Sequence, residues 1–161
     1  MRRTRRGDFE VRLPEEERAL LAALVPQLRE VLDADAGAGA DPQLRRLYPT
    51  AYPSDPERDK DFRGMVADDL LAKRRRALET LASTASATRL EEAELEAWMG
   101  AVNDLRLVLG TRLDVSEETD LAVDPGHPEA GALALYGYLG FLLEEVVAAL
   151  DPYSEGGPEA S

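Results

Sequence analysis

Trp98-Met99-Gly100-Ala101-Val102-Asn103-Asp104-Leu105-Arg106-Leu107-Val108-Leu109-Gly110-Thr111-Arg112-Leu113 is the stretch that decides the fold. Wound at about 100° per residue, it lines up Leu95, Trp98, Val102, Leu105, Leu109 and Leu113 in one stripe. Ala101 and Val108 widen the stripe on one side, Met99 on the other. An apolar arc that wide predicts a buried helix covered by more than one neighbour. Its burial, at roughly 1.5–3 kcal/mol per large side chain, makes this helix the main stabilising element. Into it are set Asn103, Asp104, Arg106 and Arg112. The winding places Arg112 inside the arc and Arg106 at its edge, and turns Asp104 away from Arg106. A buried guanidinium needs a carboxylate, or a stem long enough to bring its head to water. Gly100 and Gly110 each cost about 1 kcal/mol against Ala, which close helix packing would offset.

Elements on either side follow from shorter signals. Asp8-Phe9-Glu10-Val11-Arg12-Leu13 alternates polar and apolar residues, the pattern of a strand with Phe9, Val11 and Leu13 on one side. One short strand is not stable alone, so it requires a partner from another segment or a second subunit; a homodimer is one expected assembly. Pro14 opens a helix whose first turn carries Glu15, Glu16 and Glu17, and Pro26 is expected to kink or divide it. Asp33 to Asp41 reads as a flexible connection, and Pro42–Leu47 as a short helix before the turn-forming Pro49 and Pro53. A long helix is expected from Asp55-Pro56-Glu57 to about Leu81, an extended Arg89-Leu90, the central helix from Glu91, and a last helix over Glu129–Leu150. The fold class is all-α: a bundle of about four main helices with a short N-terminal β-strand or extended arm. Residues 1–7 read as a basic flexible arm, 8–151 as one helical domain and 152–161 as a disordered tail.

Composition narrows the chemistry. A chain of 161 residues is long enough for one real core. It has no cysteine, which removes thiolate catalysis, thiolate metal sites and disulfide switching. The basic start Met1-Arg2-Arg3-Thr4-Arg5-Arg6 runs into Gly7-Asp8 rather than an apolar segment. The longest uncharged run, Ala130 to Leu143, is shorter than the roughly 18 residues a spanning helix needs. A cytoplasmic protein without membrane contact is the expectation. Formal net charge is −13 and is distributed unevenly. Residues 1–80 balance 16 basic against 16 acidic side chains; beyond them only Arg89, Arg106 and Arg112 face 16 acids. That half repels a phosphate backbone and attracts a basic patch on a partner protein.

The one histidine, His127, lies in Asp124-Pro125-Gly126-His127-Pro128, a turn, and one imidazole makes neither a His-based zinc site nor a two-His motif. No phosphate-binding glycine loop, dinucleotide fingerprint or nucleophile elbow is present. The acidic clusters at Glu15–Glu17, Asp68-Asp69, Glu91–Glu96 and Glu144-Glu145 sit near helix ends or on solvated faces. No catalytic residue, cofactor or metal is assigned. Arg2, Arg3, Arg5 and Arg6 form a candidate basic arm, and Lys73-Arg74-Arg75-Arg76 a second basic run. Without a helix-turn-helix pattern or an aromatic platform, direct nucleic-acid binding is not expected. Trp98, Asn103, Asp104, Arg106 and Arg112 form the candidate structural or interaction network. The plainer reading, a polar network that locks helix register, outweighs a ligand site because such networks are common in cores.

Several strings converge on a known family. Arg46-Leu47-Tyr48-Pro49-x-Ala51-Tyr52, Phe62-Arg63, and Trp98…Asn103-Asp104-x-Arg106-Leu107-x-Leu109-Gly110-x-Arg112-Leu113 resemble an actinobacterial family of domains of unknown function. It includes an oxidative-stress transcriptional regulator. The resemblance runs from the Phe9 strand to Leu150. It implies a non-enzymatic cytoplasmic regulator that engages a sigma factor under oxidising conditions. It also implies a switch made by a cysteine pair, which this chain lacks. The alternative is an adaptor or accessory protein linked to Clp proteolysis or sulfur-carrier-dependent cysteine synthesis, suggested by the family's gene neighbourhood.

Overall fold

The chain enters its helices through a small sheet. The computed structural model describes residues 1–34, 56–113, 126 and 128–153, with residues 56–67 described by their backbone alone. In chain order the elements are β1 (Arg2–Arg3), β2 (Phe9–Glu10), α1 (Glu15–Ala34), α2 (Pro56–Thr84), β3 (Arg89–Leu90), α3 (Glu92–Arg112) and α4 (Ala130–Leu150). The expected all-α class holds, with four long helices and a small three-stranded sheet among the described residues.

The sheet corrects the reading of residues 1–7 as a free arm. β2 takes partners on both sides: Arg3 pairs with Phe9 and Arg2 with Glu10, while Phe9 pairs with Leu90 and Glu10 with Arg89, all antiparallel. The turn between β1 and β2 closes because Gly7 adopts φ +90°, a conformation costly for any side chain. Thr4 N–H then reaches the Asp8 carbonyl at 2.8 Å, and the Thr4 hydroxyl meets the Asp8 carboxylate. Arg3 lies over the Phe9 ring, 4.6 Å from its centroid, and contacts Glu92. Phe9, Val11 and Leu90 are thereby buried in the common core. The partner strands thus come from this chain.

Pro26 does not divide α1, which runs unbroken from Glu15 to Ala34. Proline removes one helix hydrogen bond, but Leu21, Leu24, Val25, Leu28, Val31 and Leu32 hold both sides of the helix against the core. Helix α3 is central, packed along α2 on one side and α4 on the other, while α1 lies against α2 and more lightly on α3. The carboxylate of Glu94 accepts from the Glu91 N–H at 2.8 Å, and this reciprocal cap starts α3 where the sequence predicted. Leu113 ends α3 as its C-cap. Expectations for Pro42–Leu47, Tyr48, Tyr52, His127 and residues 154–161 fall outside the described residues.

Candidate functional site

The polar groups of α3 separate onto two faces. Trp98 is fully buried, and its indole N–H donates to the Thr84 hydroxyl at 2.7 Å. Thr84 in turn donates to the Thr80 carbonyl at 2.6 Å. The tryptophan therefore ties the end of α2 to the start of α3, which is a structural task.

Asp104 is only 4% exposed and faces α2, where Arg74 Nε lies 3.5 Å from its carboxylate. Burial pushes the carboxyl from 3.8 up to about 6, against the pull of Arg74. Arg106 does not meet Asp104. It turns towards α4, with its guanidinium carbon 4.8 Å from the Tyr136 ring centroid. Its Nε has no hydrogen-bond partner among the described residues. Gly140 makes this position available, since a Cβ there would stand 3.2 Å from Arg106 Nε. The acid-rich second half thus supplies an aromatic ring to Arg106 rather than a carboxylate. Arg112 is exposed near the end of α3, although its position lies within the apolar arc. The winding was adequate, because Arg112 still lines a small cavity with Leu28, Leu105 and Leu139.

The basic run of α2 is a clamp. Arg74 serves Asp104 of α3, and Arg75 pairs with Asp33 of α1 at 2.9 Å. A further pair, Arg29–Glu79 at 2.7 Å, joins α1 to α2. Lys73 and Arg76 line a groove of about 930 Å³ between α2, α3 and the end of α4, together with Asn103 and Asp104. Its floor is made of Ala77, Ala97 and Gly100. The five candidate network residues therefore do not converge: Asn103 and Asp104 share this groove, and Arg106 stands on the opposite, α4-facing side. Among the described residues no group of three or more His, Asp or Glu side chains is arranged to hold a metal.

Sequence reasoning missed Arg18. It is 7% exposed and donates to four carbonyls: Leu13 at 3.0 Å, Ala85 at 2.9 Å, Ala87 at 2.7 Å and Val11 at 3.1 Å. A signal existed, because a cation in the first turn of α1 opposes that helix's dipole. The structure resolves the conflict: Arg18 sits beside the end of α2, whose last turn has no basic residue of its own. Tyr138 was missed as well. Its hydroxyl is buried without a partner among the described residues, and burial, with Glu17 and Glu145 nearby, pushes it up to about 12.

Helix α4 leaves one side uncovered. Leu139, Leu142 and Val146 enter the core, while Phe141, at 59% exposure, stands outside it with Ala134 and Ala148. Glu144 and Glu145 flank this face, and α4 contains no basic residue. By length and composition α4 could cross a membrane, with a mean hydropathy of 1.6 over its most apolar 18 residues. Only 28% of that window is buried, which is low for a helix so apolar inside a bundle.

Curated relatives share part of this sequence. The AosR protein of Mycobacterium leprae is 36% identical over 127 residues. The oxidative stress regulators AosR of Mycobacterium tuberculosis and Mycobacterium bovis are 31% identical over 127 residues. Each alignment covers 68% of this chain and 58% of the relative, so the chain spans less than two thirds of their length. These relatives are named as regulators and not as enzymes. No solved structure matches the chain significantly. Residues 1–150 match the model of a domain of unknown function, DUF2017, and the chain belongs to that family.

Proposed function

We propose that this protein is a non-enzymatic regulator of the oxidative-stress response that works by binding a protein partner in the cytoplasm. The regulatory part rests on the family and on relatives named oxidative stress regulators. The observation that carries the binding part is the uncovered face of α4, where Phe141 projects between small residues with Glu144 and Glu145 beside it. An exposed aromatic with an acidic margin suits a partner surface that offers an apolar pocket among basic side chains. The partner class that the family resemblance points to is a sigma factor. With no cysteine, this chain does not form the disulfide switch that the resemblance implies, so any response to oxidation takes another route.

Affinity purification of the full chain from its native host, with and without peroxide, tests the reading. Recovery of a sigma factor or polymerase subunit that is lost on Phe141→Asp is the expected result. The variant should keep its fold, because the side chain is outside the core. Failure to recover any transcription component, or recovery indifferent to Phe141, refutes the proposal. A dimer dissolved by the same substitution would assign the face to self-association instead.

A further inference from the structure

The groove between α2 and α3 has no part in that reading, and its two rims differ in charge. On the α2 side stand Lys73 and Arg76, both exposed and one helical turn apart. Their neighbours Arg74 and Arg75 are committed to Asp104 and Asp33, whereas Lys73 and Arg76 have no carboxylate partner among the described residues. On the opposite side stand Glu96 and Asp151. Between the rims the floor is Ala77, Ala97 and Gly100, where a Cβ added to Gly100 would meet Ala77 at 3.9 Å. Leu70, Val147 and Leu150 supply larger apolar walls.

We propose that this groove is the docking site for one amphipathic helix of a partner protein. Its apolar stripe would lie on the Ala77–Ala97–Gly100 floor, with acidic side chains against Lys73 and Arg76. Small floor residues let a helix approach closely, as in helix-in-groove recognition. From Ala93 to Asp104 the floor helix rises about 16 Å, enough for three turns of a partner. The charge pattern selects the occupant. The protein's formal charge of −13 repels an acidic segment elsewhere, while Lys73 and Arg76 attract one here. The opposing Glu96 and Asp151 favour basic residues on the helix's other flank and so set its direction. A small anion fits less well, since the two cations stand on an open rim rather than converging on one point.

The test uses the full chain and two fluorescein-labelled helical peptides of identical apolar stripe. One carries Glu on the flank meant for α2 and Lys on the other; the second carries Lys on both flanks. Fluorescence anisotropy should show at least tenfold tighter binding of the first peptide. Lys73→Glu with Arg76→Glu should reverse the preference, and Ala97→Trp, which fills the floor, should abolish binding. Should Ala97→Trp unfold the protein, Ala93→Arg at the exposed edge of the groove replaces it. Equal binding of both peptides, or binding indifferent to the floor and rim substitutions, overturns the proposal. So does photo-crosslinking from position 97 of the free protein if the product joins residues 35–55 of the same chain or a second copy. Phe141→Asp should leave peptide binding unchanged, which separates this site from the α4 face.

Discussion

Replacing Arg18 by Met should be among the most damaging single changes outside the apolar core. Two of its four acceptors, Ala85 and Val11, lie in buried surroundings, and two, Leu13 and Ala87, are partly accessible. Met keeps the apolar stem and removes every donor. The two buried carbonyls then lose a charge-assisted bond without access to water, at about 1–3 kcal/mol each. The two accessible ones can exchange the arginine for water, at about 0.5–1.5 kcal/mol each. Relief from burying a cation offsets part of this sum. A net loss of about 3–5 kcal/mol is expected. Urea unfolding followed by circular dichroism would measure it, with hydrogen exchange locating the opened region at β2, β3 and the end of α2. Arg18→Lys, with one compact ammonium in place of a five-donor fork, should recover only part of the loss. A loss below about 1 kcal/mol for Arg18→Met, or full rescue by Lys, would show that the four carbonyls do not depend on this side chain.

Asp104 makes a pH-dependent prediction. Its carboxyl binds a proton more tightly in the folded protein, near 6, than in the unfolded chain, near 3.8. Its contribution is therefore most favourable below about pH 4 and is lost as pH rises through 6, by roughly 3 kcal/mol in all. Asp104→Asn should match the parent protein at pH 4 and exceed it at pH 8; an offset equal at both pH values would refute this. Gly100→Ala should stabilise by about 1 kcal/mol in thermal or urea unfolding, because its Cβ meets only an ordinary contact at Ala77. Gly140→Ala should gain little in the same assay, since its Cβ displaces Arg106 from Tyr136, and the gain should return in an Arg106→Ala background. Equal effects of the two alanines would show that Arg106 moves freely.

The groove and the α4 face are two proposed surfaces with different charge patterns. The first, on the α2 rim, carries the cations left over from the clamp; the second, on α4, carries acids alone. The two experiments above read the two surfaces separately.

Periodicity in the sequence was enough to determine the four long helices of the described residues and the start of α3 near Glu91, because each depends on neighbours within a turn or two, while composition alone removed thiol chemistry. The split of the α3 polar set was legible too, since the winding alone turned Asp104 away from Arg106. What those groups meet was decided by tertiary structure. Asp104 finds Arg74 across thirty positions, Arg106 finds a tyrosine made accessible by a glycine, and Arg18 finds carbonyls nearly seventy positions away. Arg2 and Arg3 form a strand because they pair with one edge of β2, whose other edge is taken by Arg89 and Leu90. Local spacing sets which way a side chain points, but a buried charge takes whatever partner the packing brings to it. That partner is a property of the assembled bundle.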